Sequence, residues 1–188
     1  MGQLEDLTEL NKLELDNNGL KHIRKYDDVD WPLKKLETLT IMTSHLTTLR
    51  NFMHTGLDSL QNLNYAYGSI AIVEEKAFAK LPKLKAFWAP ENQIKELPDN
   101  LFADSPNLEQ INLKDNKIRS FTNTTFSGLK LLTKLDLESN QLEHIPDFSF
   151  NDTVALQELV LYKVGLNGHF LAGEAGELNF YLRIICET

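Results

Sequence analysis

Leucine returns at a fixed interval along this chain. Leu10, Leu36, Leu60, Leu84, Leu108, Leu132 and Leu156 are separated by 26 residues once and then by 24 residues five times. Counting each of these as offset 0, offset 3 holds Leu13, Leu39, Leu63, Phe87, Ile111, Leu135 and Leu159. Offset 5 holds Leu15, Ile41, Tyr65, Ala89, Leu113, Leu137 and Leu161, and offset 10 is Leu or Ile throughout. A period of this length limits the chain to stacked units, none able to bury its apolar side alone. Apolar residues at offsets 3 and 5 point to one side of a short strand, and strands from neighbouring units pair about 4.8 Å apart.

Offset 8 is polar: Asn18, Ser44, Gly68, Asn92, Asn116, Asn140, then Val164. Its asparagines are expected to point inward and bond main-chain groups left unpaired where the strand ends. Offset 18 carries Phe78, Phe102, Phe126 and Phe150, which should stack as a spine under the far side of each unit. His54 takes that slot one repeat earlier, and Phe52 or Met53 is expected to fill the space instead. Segments such as Leu97-Pro98-Asp99-Asn100 favour turns and short 3-10 pieces on the return.

The full pattern, L-x-x-L-x-L-x-x-N-x-L, is complete at Leu132, Leu135, Leu137, Asn140 and Leu142. It resembles the 24-residue typical class of leucine-rich repeats found in Toll-like receptor, slit-like and chaoptin-like ectodomains and in mosquito leucine-rich immune proteins. The resemblance implies an α/β curved horseshoe solenoid with a parallel concave sheet and a convex side of turns and short 3-10 segments. It also implies a secreted or cell-surface protein-binding module of innate-immunity or adhesion type. About seven repeats are expected over residues 1–167, with strands starting near 12, 38, 62, 86, 110, 134 and 158. Residues 168–188 are expected to be an irregular tail or cap, with Phe180, Leu182 and Ile184 alternating as a last edge strand.

Both ends depart from the family pattern. Leu4 and Leu7 fall in mid-repeat, and Cys186 is the only cysteine, so the family's cysteine-rich caps cannot form. A fragment or truncated form of a larger protein is expected, with self-association through uncapped ends. Residues 1–30 hold no signal-peptide core, which leaves an intracellular, cytoplasmic repeat scaffold or regulatory subunit as the alternative.

Charge narrows the partner. Lys and Arg total 19 against 27 Asp and Glu, a net charge of -8, which disfavours nucleic acid. No stretch is long and apolar enough to insert in a membrane. No nucleophile motif, cofactor loop or metal-ligand spacing occurs, so neither catalysis nor a cofactor or metal is expected. The expected partner is a protein ligand or co-receptor on the concave face. Among the outward offsets 2, 4, 6 and 7, the repeats starting at Leu36 and Leu60 contribute no charged residue. Trp88, in the next repeat, should face solvent, with Tyr67 reaching the same patch and Asn64, Pro90 and Asn112 bordering it. Val160 and Tyr162 form a weaker second patch. Asn123 and Asn151 open N-glycosylation sequons on the return half, clear of the concave face.

Overall fold

The computed structural model describes residues 4, 6–23 and 30–165, and the backbone of 183–185. Its strands are β1 (Lys12–Glu14), β2 (Thr38–Thr40), β3 (Thr48–Leu49), β4 (Asn62–Asn64), β5 (Ile72–Val73), β6 (Ala86–Trp88), β7 (Gln110–Asn112), β8 (Lys134–Asp136), β9 (Glu158–Val160) and β10 (Arg183–Ile185). Eight of them form one parallel sheet in the order β1-β2-β4-β6-β7-β8-β9-β10. Register is strict: Leu13, Leu39, Leu63, Phe87, Ile111, Leu135 and Leu159 lie side by side. Such a parallel sheet, with one strand from each repeat, is consistent with the expected leucine-rich-repeat horseshoe. Only β10 of the expected 168–188 tail lies within the described residues; it pairs with β9, Ile185 beside Val160.

The return half contains no helix among the described residues. The expected 3-10 pieces reduce to single turns closed by i to i+3 bonds, such as Leu84 N–H to Leu81 (3.2 Å) and Leu108 N–H to Ser105 (3.2 Å). Turns suffice because four successive repeats cover their far side with aromatic rings. Phe78 and Phe102 have centroids 5.0 Å apart, Phe102 and Phe126 6.2 Å, and Phe126 and Phe150 6.0 Å. A second, two-stranded parallel sheet, β3 with β5, lies on the descending side.

The spine begins differently from the sequence expectation. His54 itself, fully buried, fills the slot and stacks on Phe78 at 6.2 Å; of the two residues expected to fill it, Phe52 is 47% exposed and Met53 is buried in the core alongside. Two departures from the repeat explain each other here. His54 Nδ1 lies 2.8 Å from the Ala77 carbonyl, which can only accept, so Nδ1 carries a proton. Nε2 lies 2.8 Å from the hydroxyl of Tyr65, the one phenol in the inward offset-5 column. Burial pushes that phenol far above its ordinary pKa, keeping it protonated.

The asparagine ladder has three rungs. Asn92, Asn116 and Asn140 are buried, and each side-chain amide donates to the preceding repeat: to Tyr65 O (2.8 Å), Ala89 O (2.9 Å) and Leu113 O (3.0 Å). Each Oδ1 accepts from a main-chain N–H there, of Ile70, Ile94 and Ile118, at 3.0 Å. Below Asn92 the column changes character. Gly68 leaves the space that Asn92 needs, since a Cβ there would meet Asn92 Oδ1 at 2.7 Å. Ser44 is buried with its hydroxyl unbonded, and Asn18 is exposed.

Candidate interaction face

The outward side chains of the main sheet form rows across the strands. The offset-4 row reads Thr40, Asn64, Trp88, Asn112, Asp136 and Val160 in direct register. Trp88 therefore stands between two asparagines. It is half-buried, and its indole N–H bonds no acceptor among the described residues. The flanking asparagines serve the backbone: Asn64 Oδ1 accepts from Ala66 N–H and Asn112 Oδ1 from Lys114 N–H, both at 3.0 Å. Their amide groups remain toward the face, Asn64 Nδ2 meeting only Met42 sulfur at 3.6 Å.

At the rim of the face lies a feature that apolar periodicity conceals. Every offset-7 residue has a left-handed backbone: Asn17, Thr43, Tyr67, Glu91, Asp115, Ser139 and Lys163 have φ between 52° and 58°. None is glycine, so each bears a steric cost of about 1–2 kcal/mol. The next repeat holds them there. Tyr67 N–H donates to Pro90 O (3.0 Å), Glu91 N–H to Lys114 O (3.0 Å) and Asp115 N–H to Glu138 O (2.9 Å). Asparagine and aspartate tolerate this conformation best. Tyr67, a bulky aromatic 55% exposed, does not suit it.

Five of the residues singled out from sequence are thus neighbours: Asn64, Tyr67, Trp88, Pro90 and Asn112. The second patch is different. Val160, expected to face solvent, is only 6% exposed, with the β10 main chain paired alongside it. A strand on its open side removes it from the surface, leaving Tyr162 half-buried with Lys163 Nζ 4.9 Å from its ring centroid. Ala66 and Ala86, also outward by alternation, are buried beneath larger neighbours.

Charged residues of the face pair along the sheet. Lys114 meets Glu138 at 2.8 Å, Lys134 meets Glu158 at 3.0 Å, and Lys12 meets Glu14 at 2.8 Å. The hydrogen bond with Glu138 holds the Lys114 ammonium above its ordinary pKa. Burial pushes the Asp136 carboxyl up, against the pull of the Glu138 N–H bond to its Oδ1 (3.0 Å). A raised folded-state pKa means that ionised Asp136 opposes folding above the ordinary carboxylate pKa of about 4. Asn112, in the adjacent strand, and Asn64 make the same turn bond without a charge. Asp136→Asn is therefore expected to raise the melting temperature at pH 7 and to lose that gain below about pH 4, where aspartate is protonated in both states. Melts of both proteins across that pH range check the sign.

Both sequon asparagines, Asn123 and Asn151, are exposed on the return half. Their threonines are buried: the Thr125 hydroxyl reaches back to the preceding repeat, donating to Pro98 O (3.2 Å), and the Thr153 hydroxyl closes a turn, donating to Phe150 O (2.8 Å). Among the described residues no group of three or more His, Cys, Asp and Glu could hold a metal, and no helix is long and apolar enough to cross a membrane.

Comparison with known proteins agrees with this geometry. The family model described as leucine rich repeat matches residues 90–142. A solved structure, "Crystal structure of TLR13-ssRNA13 complex", is similar, with a TM-score of 0.66 and 31% identity. The similarity covers 69% of this chain but only 18% of that one, so the chain spans under a fifth of its relative's length. No curated protein matches the sequence.

Proposed function

The chain is a leucine-rich-repeat protein resembling Toll-like receptors, and from that premise we propose that it is a non-catalytic recognition module. It works in a secreted or cell-surface protein of innate-immunity type and binds a protein ligand or co-receptor on its concave sheet. The contact centres on Trp88 and Tyr67, bordered by Asn64, Pro90 and Asn112, and Tyr162 is a secondary contact. Glycans on Asn123 and Asn151 lie on the opposite half, where they leave the face open. The observation that carries this reading is the Tyr67–Trp88 pair. Two large aromatics stand on a sheet face, one exposed and one half-exposed, beside repeats that put no charge on that face. Rigid aromatic area of this kind dominates binding energy at protein interfaces.

The extracellular placement rests on the same resemblance to ectodomains. The test separates a contact tryptophan from a structural one. Trp88→Ala should weaken binding of a captured partner by at least about 2 kcal/mol while changing stability by less than about 1 kcal/mol. Calorimetric titration and thermal melting on the same sample measure both. Lost binding with a large stability loss would make Trp88 structural; unchanged binding would move the contact elsewhere.

A further inference from the structure

We propose that the partner surface received by this face is a basic polypeptide segment, an arginine or lysine set beside an apolar anchor. The proposal rests on the reading of the concave sheet as the contact face and adds the chemistry of what binds there. It starts from a charge balance that formal counting hides. The outward lysines are already engaged: Lys12 with Glu14, Lys114 with Glu138, Lys134 with Glu158, and Lys163 over the Tyr162 ring. The carboxylates of Asp16, Glu91 and Asp115 form no ion pair among the described residues, and Asp136, which forms none either, is buried. The face therefore offers anionic groups to a partner and no uncommitted lysine.

Two of these carboxylates sit beside the aromatic pair. Glu91 and Asp115 follow Tyr67 in the left-handed offset-7 column, one strand spacing of about 4.8 Å apart. Each backbone is pinned by the next repeat, Glu91 N–H on Lys114 O and Asp115 N–H on Glu138 O. Glu91 is also three residues from Trp88 in the same repeat. A guanidinium held between the two carboxylates would satisfy both and lie within reach of an aromatic ring, an arrangement that favours arginine through charge-assisted hydrogen bonds and cation–π contact. An apolar residue next to it would cover Tyr67 and Trp88. Single-stranded RNA, present in the similar TLR13 complex, meets the wrong sign here, because its phosphates would face the unpaired carboxylates of Asp16, Glu91 and Asp115.

The test uses the whole chain and three fluorescent probes: a short peptide of alternating leucine and arginine, the same peptide with glutamate for arginine, and a short single-stranded RNA. Binding of the arginine peptide alone is expected. Against it, the pair Glu91→Gln and Asp115→Asn should weaken binding about tenfold or more. Glu75→Gln with Glu143→Gln, an equal change of charge at exposed positions off the face, should weaken it less than about twofold. Thermal melts confirm that both pairs remain folded. Equal losses in the two pairs would reduce the binding to general attraction by an acidic chain and overturn the proposal. Preference for the glutamate peptide or the RNA would overturn it too. Loss on Trp88→Ala without loss on the carboxylate pair would sink the basic chemistry and leave the concave site standing. No loss on either would sink both.

Discussion

Truncating Phe126 to alanine is expected to cost about 3–5 kcal/mol, the range for a buried aromatic that leaves a cavity. The ring is fully buried and has contacts on every side. Phe102 stacks on it at 6.2 Å, Phe150 at 6.0 Å, and Phe121 meets it edge-on at 5.3 Å. Equilibrium unfolding in urea measures the change; a loss under about 1 kcal/mol would mean that turns, not rings, carry the convex half.

Asn116→Asp is expected to be comparably severe, about 3 kcal/mol or more at pH 7, since it leaves a charge buried without a partner. The wild-type amide donates to Ala89 O (2.9 Å) and Leu113 O (3.0 Å), and a carboxylate can donate to neither. Only the Ile94 N–H bond to Oδ1 would survive. Protonation restores one donor and removes the charge, so the folded-state pKa must be raised. The penalty is then fully present at neutral pH and shrinks as pH falls toward about 4. A variant that melts like wild type at pH 7 would place the ladder on the surface.

These two predictions follow from columns that were legible in the sequence. A 24-residue period and an apolar offset name the inward face without any knowledge of the curve. The departures were harder. His54 and Tyr65 each look like an error in its own column. Only the fold shows that the imidazole bridges the phenol and the Ala77 carbonyl, because a linear pattern does not report which columns touch across the core. The left-handed offset-7 column gave no signal at all. Its residues share neither charge nor size, and its conformation is imposed by hydrogen bonds from the next repeat. No glycine marks that offset either.

The candidate interaction face was partly legible. Alternation placed Trp88 outward and the register set Asn64 and Asn112 beside it. Alternation also placed Val160 outward, and there it failed, because β10 joins the sheet at a position that no leucine periodicity marks. Exposure on the convex side supplies the competing reading of the molecule. Phe148 is 70% exposed, more than Tyr67, and holds a left-handed backbone with φ of 64°. By exposure alone it would be the better contact.

Photo-crosslinking separates the two sides. A benzophenone side chain placed at Tyr67 in one sample and at Phe148 in another, each irradiated with proteins from the surface of cells that express the chain, gives the comparison. The concave reading predicts a discrete adduct from position 67, abolished by Trp88→Ala, and none from position 148. A discrete adduct from position 148, with none from 67, would contradict it and move recognition to the convex side.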